Sequence, residues 1–275
     1  MLQRVSSALI ALIVVFTTLL MPTLWPIVLL CSFIGIFSLR ELQQVLASST
    51  SLFSWQKFLI SLLFGMIPIV ISFLTFKRVM YFSFHSGILM IWLLFGIGIW
   101  AIFQIIKGNK REIHPVLANF WITAPLCLIV LSYQELGLSA GKLLEKNPVF
   151  LILVPVWAGD SMAYFTGKKF GKHPLWKKIS PSKTWEGSIA YFGASLLTAW
   201  ALHFLVEVDL LQALGCGFFA GTFGQLGDLM ESALKRSVQL KDSGTFLPGH
   251  GGVLDRLDSL FFNIMPSATL LLLTT

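Results

Sequence analysis

The sequence predicts an all-α, polytopic membrane protein, and three observations carry that prediction. Hydrophobic residues make up 56% of the 275-residue chain and charged residues only 12%, about half the charged share of a soluble domain. The apolar residues gather in runs long enough for the ~20-residue helix that crosses a bilayer core. Those runs are continuous, without the alternating pattern of a transmembrane β-barrel. The net charge of +7 reads as the excess of Lys and Arg that marks cytoplasmic loops. Nucleic acid is therefore not expected as a partner.

Nine spans are expected, at roughly 6–23, 24–39, 58–76, 84–106, 116–133, 147–166, 187–206, 210–230 and 257–274. The first follows Arg4 and is itself followed by a second apolar run from Leu24. No small-x-small cleavage site intervenes, so it reads as a span, with a signal peptide as the alternative. The first two spans are short and separated only by the turn from Pro22 to Pro26, so they form either a helical hairpin or one broken element. Alternating sides from a cytoplasmic N-terminus places sixteen Lys/Arg on inner segments and four on outer ones. That asymmetry predicts an odd number of spans and a C-terminus outside.

The chemistry divides the chain into a scaffold, residues 1–146, and a catalytic region, residues 147–275. In the scaffold, Arg40, Glu41 and the charges from Lys107 to Glu112 lie at span ends, where snorkelling and orientation explain them. His85 and His114 are isolated, and Ser48 to Ser54 reads as a loop. Cys31, Cys127 and Cys216 sit in apolar runs without histidine neighbours, as buried free thiols do.

The catalytic region is different. Asp160 lies inside an apolar run, and Asp160, Tyr164, Gly167 and Gly171 share a helical face if the helix extends that far. A lysine-rich loop ends in SPSKTWEG, where Pro181 with Ser182 or Thr184 would start a helix and Glu186 would stand in its first turn. Backbone amides at such a start, beside Lys183, are suited to phosphate. Gly217, Gly221, Gly224, Asp228, Glu231 and Lys235 recur at helical spacing, and Asp255 and Asp258 open the last span three residues apart. Within the thirty-six residues from Gly224 to Ser259 stand five carboxylates, six glycines and one histidine. All these acids fall towards the cytoplasmic ends of their spans, and one site is expected there.

Carboxylates without His or Cys partners favour Mg²⁺, Mn²⁺ or Ca²⁺ over zinc. Asp228 and Asp255 are the first expected ligands, followed by Asp258 and Glu231; structural pairing with Lys235, Arg236 and Arg256 is the alternative. Lys241, Asp242, Ser243 and Gly244 lead into Leu247-Pro248-Gly249-His250-Gly251-Gly252, a turn-rich loop that could cradle phosphate on its amides. No Walker loop, nucleophile elbow, HExxH helix or Cys/His pair is present. Metal-assisted phosphoryl or nucleotidyl transfer remains.

The run from Ser232 through Lys235-Arg236, Lys241-Asp242, Gly244, Leu247-Pro248, His250-Gly251-Gly252 and Asp255-Arg256 to Asp258 resembles the signature of the phosphatidate cytidylyltransferase (CDP-diacylglycerol synthase) family. WxxDxxAYxxG at Trp157, SPxKTxEG at Ser180 and GxxGDLxES at Gly224 resemble that family too, and in its order. The resemblance covers roughly residues 157–259.

It implies a membrane enzyme that converts CTP and phosphatidate to CDP-diacylglycerol and pyrophosphate with Mg²⁺, as a homodimer, with a monovalent cation such as K⁺ as an optional second ion. It also implies that Asp228 and Asp255 form the metal-binding pair. On that reading Lys183, Lys235, Arg236, Lys241 and Arg256 hold phosphates. The loop of Gly249, His250, Gly251 and Gly252 cradles the triphosphate. Ser182 and Glu186 join the substrate site, and Asp160 lies in its wall. A transferase acting on an ether-lipid phosphate or a polyprenol, and less closely a transporter, are the alternatives. A CDP-alcohol phosphotransferase needs a DxxDGxxAR run that is absent.

Overall fold

The computed structural model describes residues 2–21, 23–47, 59, 62–63, 66, 70, 81–108, 115–137, 147–206, 208–244, 246 and 251–274. It shows an all-α membrane protein. The helices are α1 (Leu2–Leu20), α2 (Leu24–Ala47), α3 (Tyr81–Ile106), α4 (Pro115–Ala118), α5 (Phe120–Ser132), α6 (Val149–Phe170), α7 (Trp185–Val206), α8 (Leu210–Phe219), α9 (Gln225–Ser237) and α10 (Leu254–Thr274). Two π-helical turns, Tyr133–Gly137 and Ala220–Gly224, extend α5 and join α8 to α9. Among the described residues, five helices are long and apolar enough to cross a membrane: Leu24–Ala47, Ser86–Ile106, Val149–Phe170, Trp185–Val206 and Leu254–Thr274. Leu9–Leu20 and Phe120–Leu136 are shorter apolar helices. The span expected at 58–76 falls mostly outside the described residues.

The chain forms two compact units, Met1–Gln134 with Leu234–Leu257, and Glu135–Ala233 with Asp258–Thr275. In the first, α2 buries Ser38, Leu39, Glu41, Leu42, Gln43, Val45 and Leu46 along one face. Gln43 donates from Nε2 to Oδ1 of Asn119 at 3.0 Å, both side chains being buried. A hydrogen bond of that kind ties helices together where apolar contact alone gives little preference over lipid. Gly98 of α3 lies against the Trp121 backbone so closely that a Cβ there would overlap the Trp121 amide nitrogen. The Trp121 side chain is fully buried in the same packing.

In the second unit α6 packs along α7. Gly159 admits the Tyr191 ring, since a Cβ at that position would stand 2.5 Å from Tyr191 Cε1. Ser195 donates to the carbonyl of Pro155 at 3.0 Å, and Asn263 of α10 to that of Ile152 at 2.6 Å. Between α6 and α7 the chain forms a two-stranded antiparallel sheet, β1 (Pro174–Trp176) with β2 (Ser180–Thr184). The sequence reading had no strand here and offered Ser182 or Thr184 as a helix start. Ser182 lies in β2 instead, and Thr184 opens the helix: its Oγ1 accepts the Gly187 N–H at 3.2 Å, the work of an N-cap residue.

The glycine–acid stripe of the last third also differs from a plain α-helix. The π turn at Ala220–Gly224 interrupts it, adding backbone at the point where the chain passes from apolar to charged residues. Gly217, Gly221 and Gly224 still face α7: added Cβ atoms would meet Ala199, Phe192 and Tyr191, at 2.8, 2.6 and 2.7 Å. The free thiols of Cys31, Cys127 and Cys216 are buried.

Candidate functional site

Two groups of charged side chains stand out, one in each unit. In the unit that holds Leu234–Leu257, the centre is Asp255, in the first turn of α10. Lys235, near the end of α9, donates to its Oδ1 at 2.6 Å, and the two side chains are only 11% and 8% exposed. The Ser243 amide donates to both carboxylate oxygens, at 3.1 and 3.0 Å, and the Gly252 amide to Oδ2 at 2.9 Å. One lysine and two amides thus saturate Asp255. Charge-assisted bonds of this sort are about twice as strong as neutral ones, and they fix the path of the chain on both sides of the turn-rich loop.

The sequence reading gave the Gly252 amide to a phosphate; the structure gives it to Asp255. Gly251 has φ +85°, a backbone conformation natural to glycine. Gly249 and His250 lie outside the described residues. Lys241 is exposed, Arg236 donates to the Leu240 carbonyl at 2.7 Å, and Arg256 projects from the exposed face of α10.

A second carboxylate in this unit was misread. Glu41, assigned to a span end, is only 4% exposed. Its Oε1 accepts the Val253 amide at 3.0 Å, and its Oε2 accepts the Leu254 amide at 2.8 Å and the Ser243 hydroxyl at 3.2 Å. A buried carboxylate is tolerated only with such partners, and the positive N-terminal end of α10 adds to them. One sequence signal could have found it. Snorkelling needs the long stem of Lys or Arg, and a glutamate flanked by Leu39, Leu42 and Val45 lacks that reach.

The other unit gathers acids. Asp228 and Glu231 lie on α9, one turn apart, and Asp258 lies in α10. Asp258 is buried and lies within the field of the Asp228 carboxylate, with the Lys183 ammonium acting on it in the opposite sense. Lys183 at the end of β2 forms an ion pair with Asp228, and Ser232 donates to Asp228 Oδ1 at 3.4 Å. Gly227 makes the packing possible, because a Cβ there would overlap the Asp258 carbonyl. The Tyr191 ring is buried within the field of Asp160, Asp228 and Asp258. Its hydroxyl is buried with no hydrogen-bond partner among the described residues. Asp160 is exposed on α6.

Glu186, expected at a substrate, is paired with His173: Nδ1 of that ring is 2.7 Å from Oε1, and the His173 amide donates to Oε2 at 3.4 Å. The pair holds the entry to β1 against the start of α7. Spacing along the chain gave no sign of it, since the partners meet only through the sheet.

Among the described residues, no group of three or more His, Cys, Asp or Glu is placed to hold a metal ion. A cation here would therefore draw on one or two carboxylates and complete its shell with water and ligand oxygens. Mg²⁺ is bound in that way, and the carboxylate oxygens of Asp228, Asp258 and Glu231 in this unit are donors of the kind it takes. Carboxylates facing one another, as Asp228 and Asp258 do, need a proton, an ammonium or a metal cation among them.

The model of the cytidylyltransferase family matches residues 2–274, and the chain belongs to that family. It is 47% identical over 120 residues to the phosphatidate cytidylyltransferase of Bacillus subtilis (strain 168), covering 43% of this chain and 44% of that one. It is 40% identical over 158 residues to the phosphatidate cytidylyltransferase of Staphylococcus aureus (strain COL), covering 56% and 60%. The chain thus spans about half the length of the curated relatives it matches.

Proposed function

We propose that this member of the cytidylyltransferase family transfers a cytidylyl group from CTP to phosphatidate, yielding CDP-diacylglycerol and pyrophosphate. The observation that carries the reading is the pair of carboxylate–lysine groups, Asp255 with Lys235 and Asp228 with Lys183, in a chain otherwise built for lipid. The names of the matched relatives support the same substrates.

The chemistry asks for little beyond charge and alignment. A phosphate monoester has its second pKa near 6, so the phosphatidate oxygen that attacks the α-phosphorus of CTP is already ionised at neutral pH. A bond forms from that oxygen to phosphorus, the bond from phosphorus to the bridging oxygen breaks, and pyrophosphate leaves with the electron pair. No general base or covalent nucleophile is needed. Bound Mg²⁺ would supply charge neutralisation between the two anions and polarise the phosphate under attack.

We assign its ligation to Asp228 and Asp255, with Asp258 and Glu231 shaping the carboxylate group and K⁺ as an optional second ion. Lys183, Lys235, Arg236, Lys241 and Arg256 would hold phosphate oxygens, exchanging internal carboxylate partners for substrate ones where they now have them. The loop from Gly249 through His250 to Gly251 would approach the triphosphate, Ser182 would lie beside Lys183, and Asp160 would line the wall. The Lys/Arg asymmetry supports an odd number of spans, nine on our reading, with a cytoplasmic N-terminus and a cytoplasmic site, and the family resemblance supports a homodimer.

The test is product identity. Protein in detergent micelles receives CTP with phosphatidate, its ether-lipid analogue or a polyprenol, and lipid products are identified by mass spectrometry. The reading predicts CDP-diacylglycerol with stoichiometric pyrophosphate. A phosphorylated polyprenol with CDP, a preference for the ether lipid, or no lipid product from folded protein would each overturn it.

A further inference from the structure

We infer that Glu41 is a positioning residue for Asp255, acting through the two loop residues that both carboxylates grip. This rests on the proposed reaction. Ser243 gives its hydroxyl to Glu41 Oε2 and its amide to Asp255. Gly252 gives its amide to Asp255, and its missing side chain leaves the space that Glu41 fills: a Cβ there would stand 2.5 Å from Glu41 Oε2. Gly244 is fitted to the same carboxylate, since a Cβ at that position would stand 2.6 Å from Oε1. Val253 and Leu254, the residues between Gly252 and Asp255, give Glu41 their amides. Every donor that orients Asp255 from the loop is thus itself held, directly or by its neighbour, by Glu41.

The arrangement has a second consequence. The amides at the start of α10 form an anion site, and the chain fills that site with its own carboxylate. Substrate phosphate is therefore excluded from these amides, and the turn of chain carrying Asp255 is held in place before any ligand arrives. A residue that orients a metal-binding carboxylate in this way is worth about 10–100-fold in metal affinity or activity.

The test compares the parent with Glu41→Gln, Glu41→Asp and Ser243→Ala. Hydrogen–deuterium exchange on metal-free protein reads the loop alone, and a Mg²⁺ titration of CDP-lipid formation reads the consequence. In Glu41→Gln an amide NH₂ meets donors, so exchange at Ser243 and Val253 should rise about tenfold or more, and the half-activating Mg²⁺ concentration should rise about tenfold. Glu41→Asp keeps the charge and should recover part of both. Ser243→Ala removes a single tie and should move both in the same direction by a smaller factor; it carries the test if Glu41→Gln does not fold. Unchanged exchange in Glu41→Gln, or changed exchange with an unchanged Mg²⁺ midpoint, overturns the inference. A parent that makes no CDP-lipid refutes the reaction instead, while the exchange data still decide whether Glu41 holds the loop.

Discussion

The two charged groups differ in how their carboxylates are satisfied. Around Asp255 and Glu41 every carboxylate oxygen accepts from a backbone amide, a serine hydroxyl or a lysine. Around Asp228 and Asp258 carboxylate faces carboxylate, and one lysine supplies the compensating charge. The first group has the character of a clamp, in which removing a partner disturbs the backbone. The second carries an excess of negative charge, which costs folding free energy that a bound cation would return. The first group thus holds backbone in place, and the second carries charge that remains to be offset.

The largest effect that would break this contrast is at Asp255. Asp255→Asn leaves Lys235 buried without its counter-charge, and breaking a buried pair costs about 3–5 kcal/mol. CDP-lipid formation should fall by at least about 10²-fold, with a clear drop in thermal midpoint read by differential scanning fluorimetry. Asp228→Asn should lose activity by about the same factor, yet leave the midpoint unchanged or higher, because it relieves repulsion with Asp258 and its ion pair is partly exposed. Equal destabilisation by the two variants would erase the distinction.

A smaller effect is expected at Gly252. An added methyl group would collide with Ser243 and Glu41, and overpacking of this kind costs about 1–3 kcal/mol. Gly252→Ala should lower the midpoint and loosen the Ser243 amide in hydrogen exchange. Smallest of all is Tyr191→Phe. A hydroxyl that is buried without a hydrogen bond is lost at no cost, or with a gain of up to about 1 kcal/mol. Its midpoint should hold or rise, and a marked fall would show that the hydroxyl has a structural partner.

The same contrast explains what was legible in the sequence. Asp228, Glu231, Asp255 and Asp258 were visible because acids at helical spacing in apolar runs have no bland explanation. Most of the long helices were visible from hydropathy, but α2 runs eight residues past its expected end, and the one span expected at 210–230 is divided into α8, a π turn and α9. Glu41 was hidden because its partners, Ser243, Val253 and Leu254, lie some two hundred residues away and two of them donate from the backbone. His173 with Glu186 and the strand pair beside them were hidden for a related reason: a three-residue and a five-residue strand leave no period to read. The π turn at Ala220–Gly224 keeps the glycines on one face and so leaves the spacing looking like ordinary α-helix. What the sequence could not show was which amide each carboxylate would take.

The most direct test of the account is a Mg²⁺ titration on the parent, Asp228→Asn and Asp255→Asn in phosphatidate micelles. It would follow labelled CTP entering the lipid and, in parallel, the thermal midpoint without substrate. The account predicts that Mg²⁺ switches on CDP-lipid formation and raises the parent's midpoint, and that Asp228→Asn loses both responses. Lipid labelling that proceeds in chelator, or a Mg²⁺-induced rise in midpoint that survives in Asp228→Asn, would contradict it.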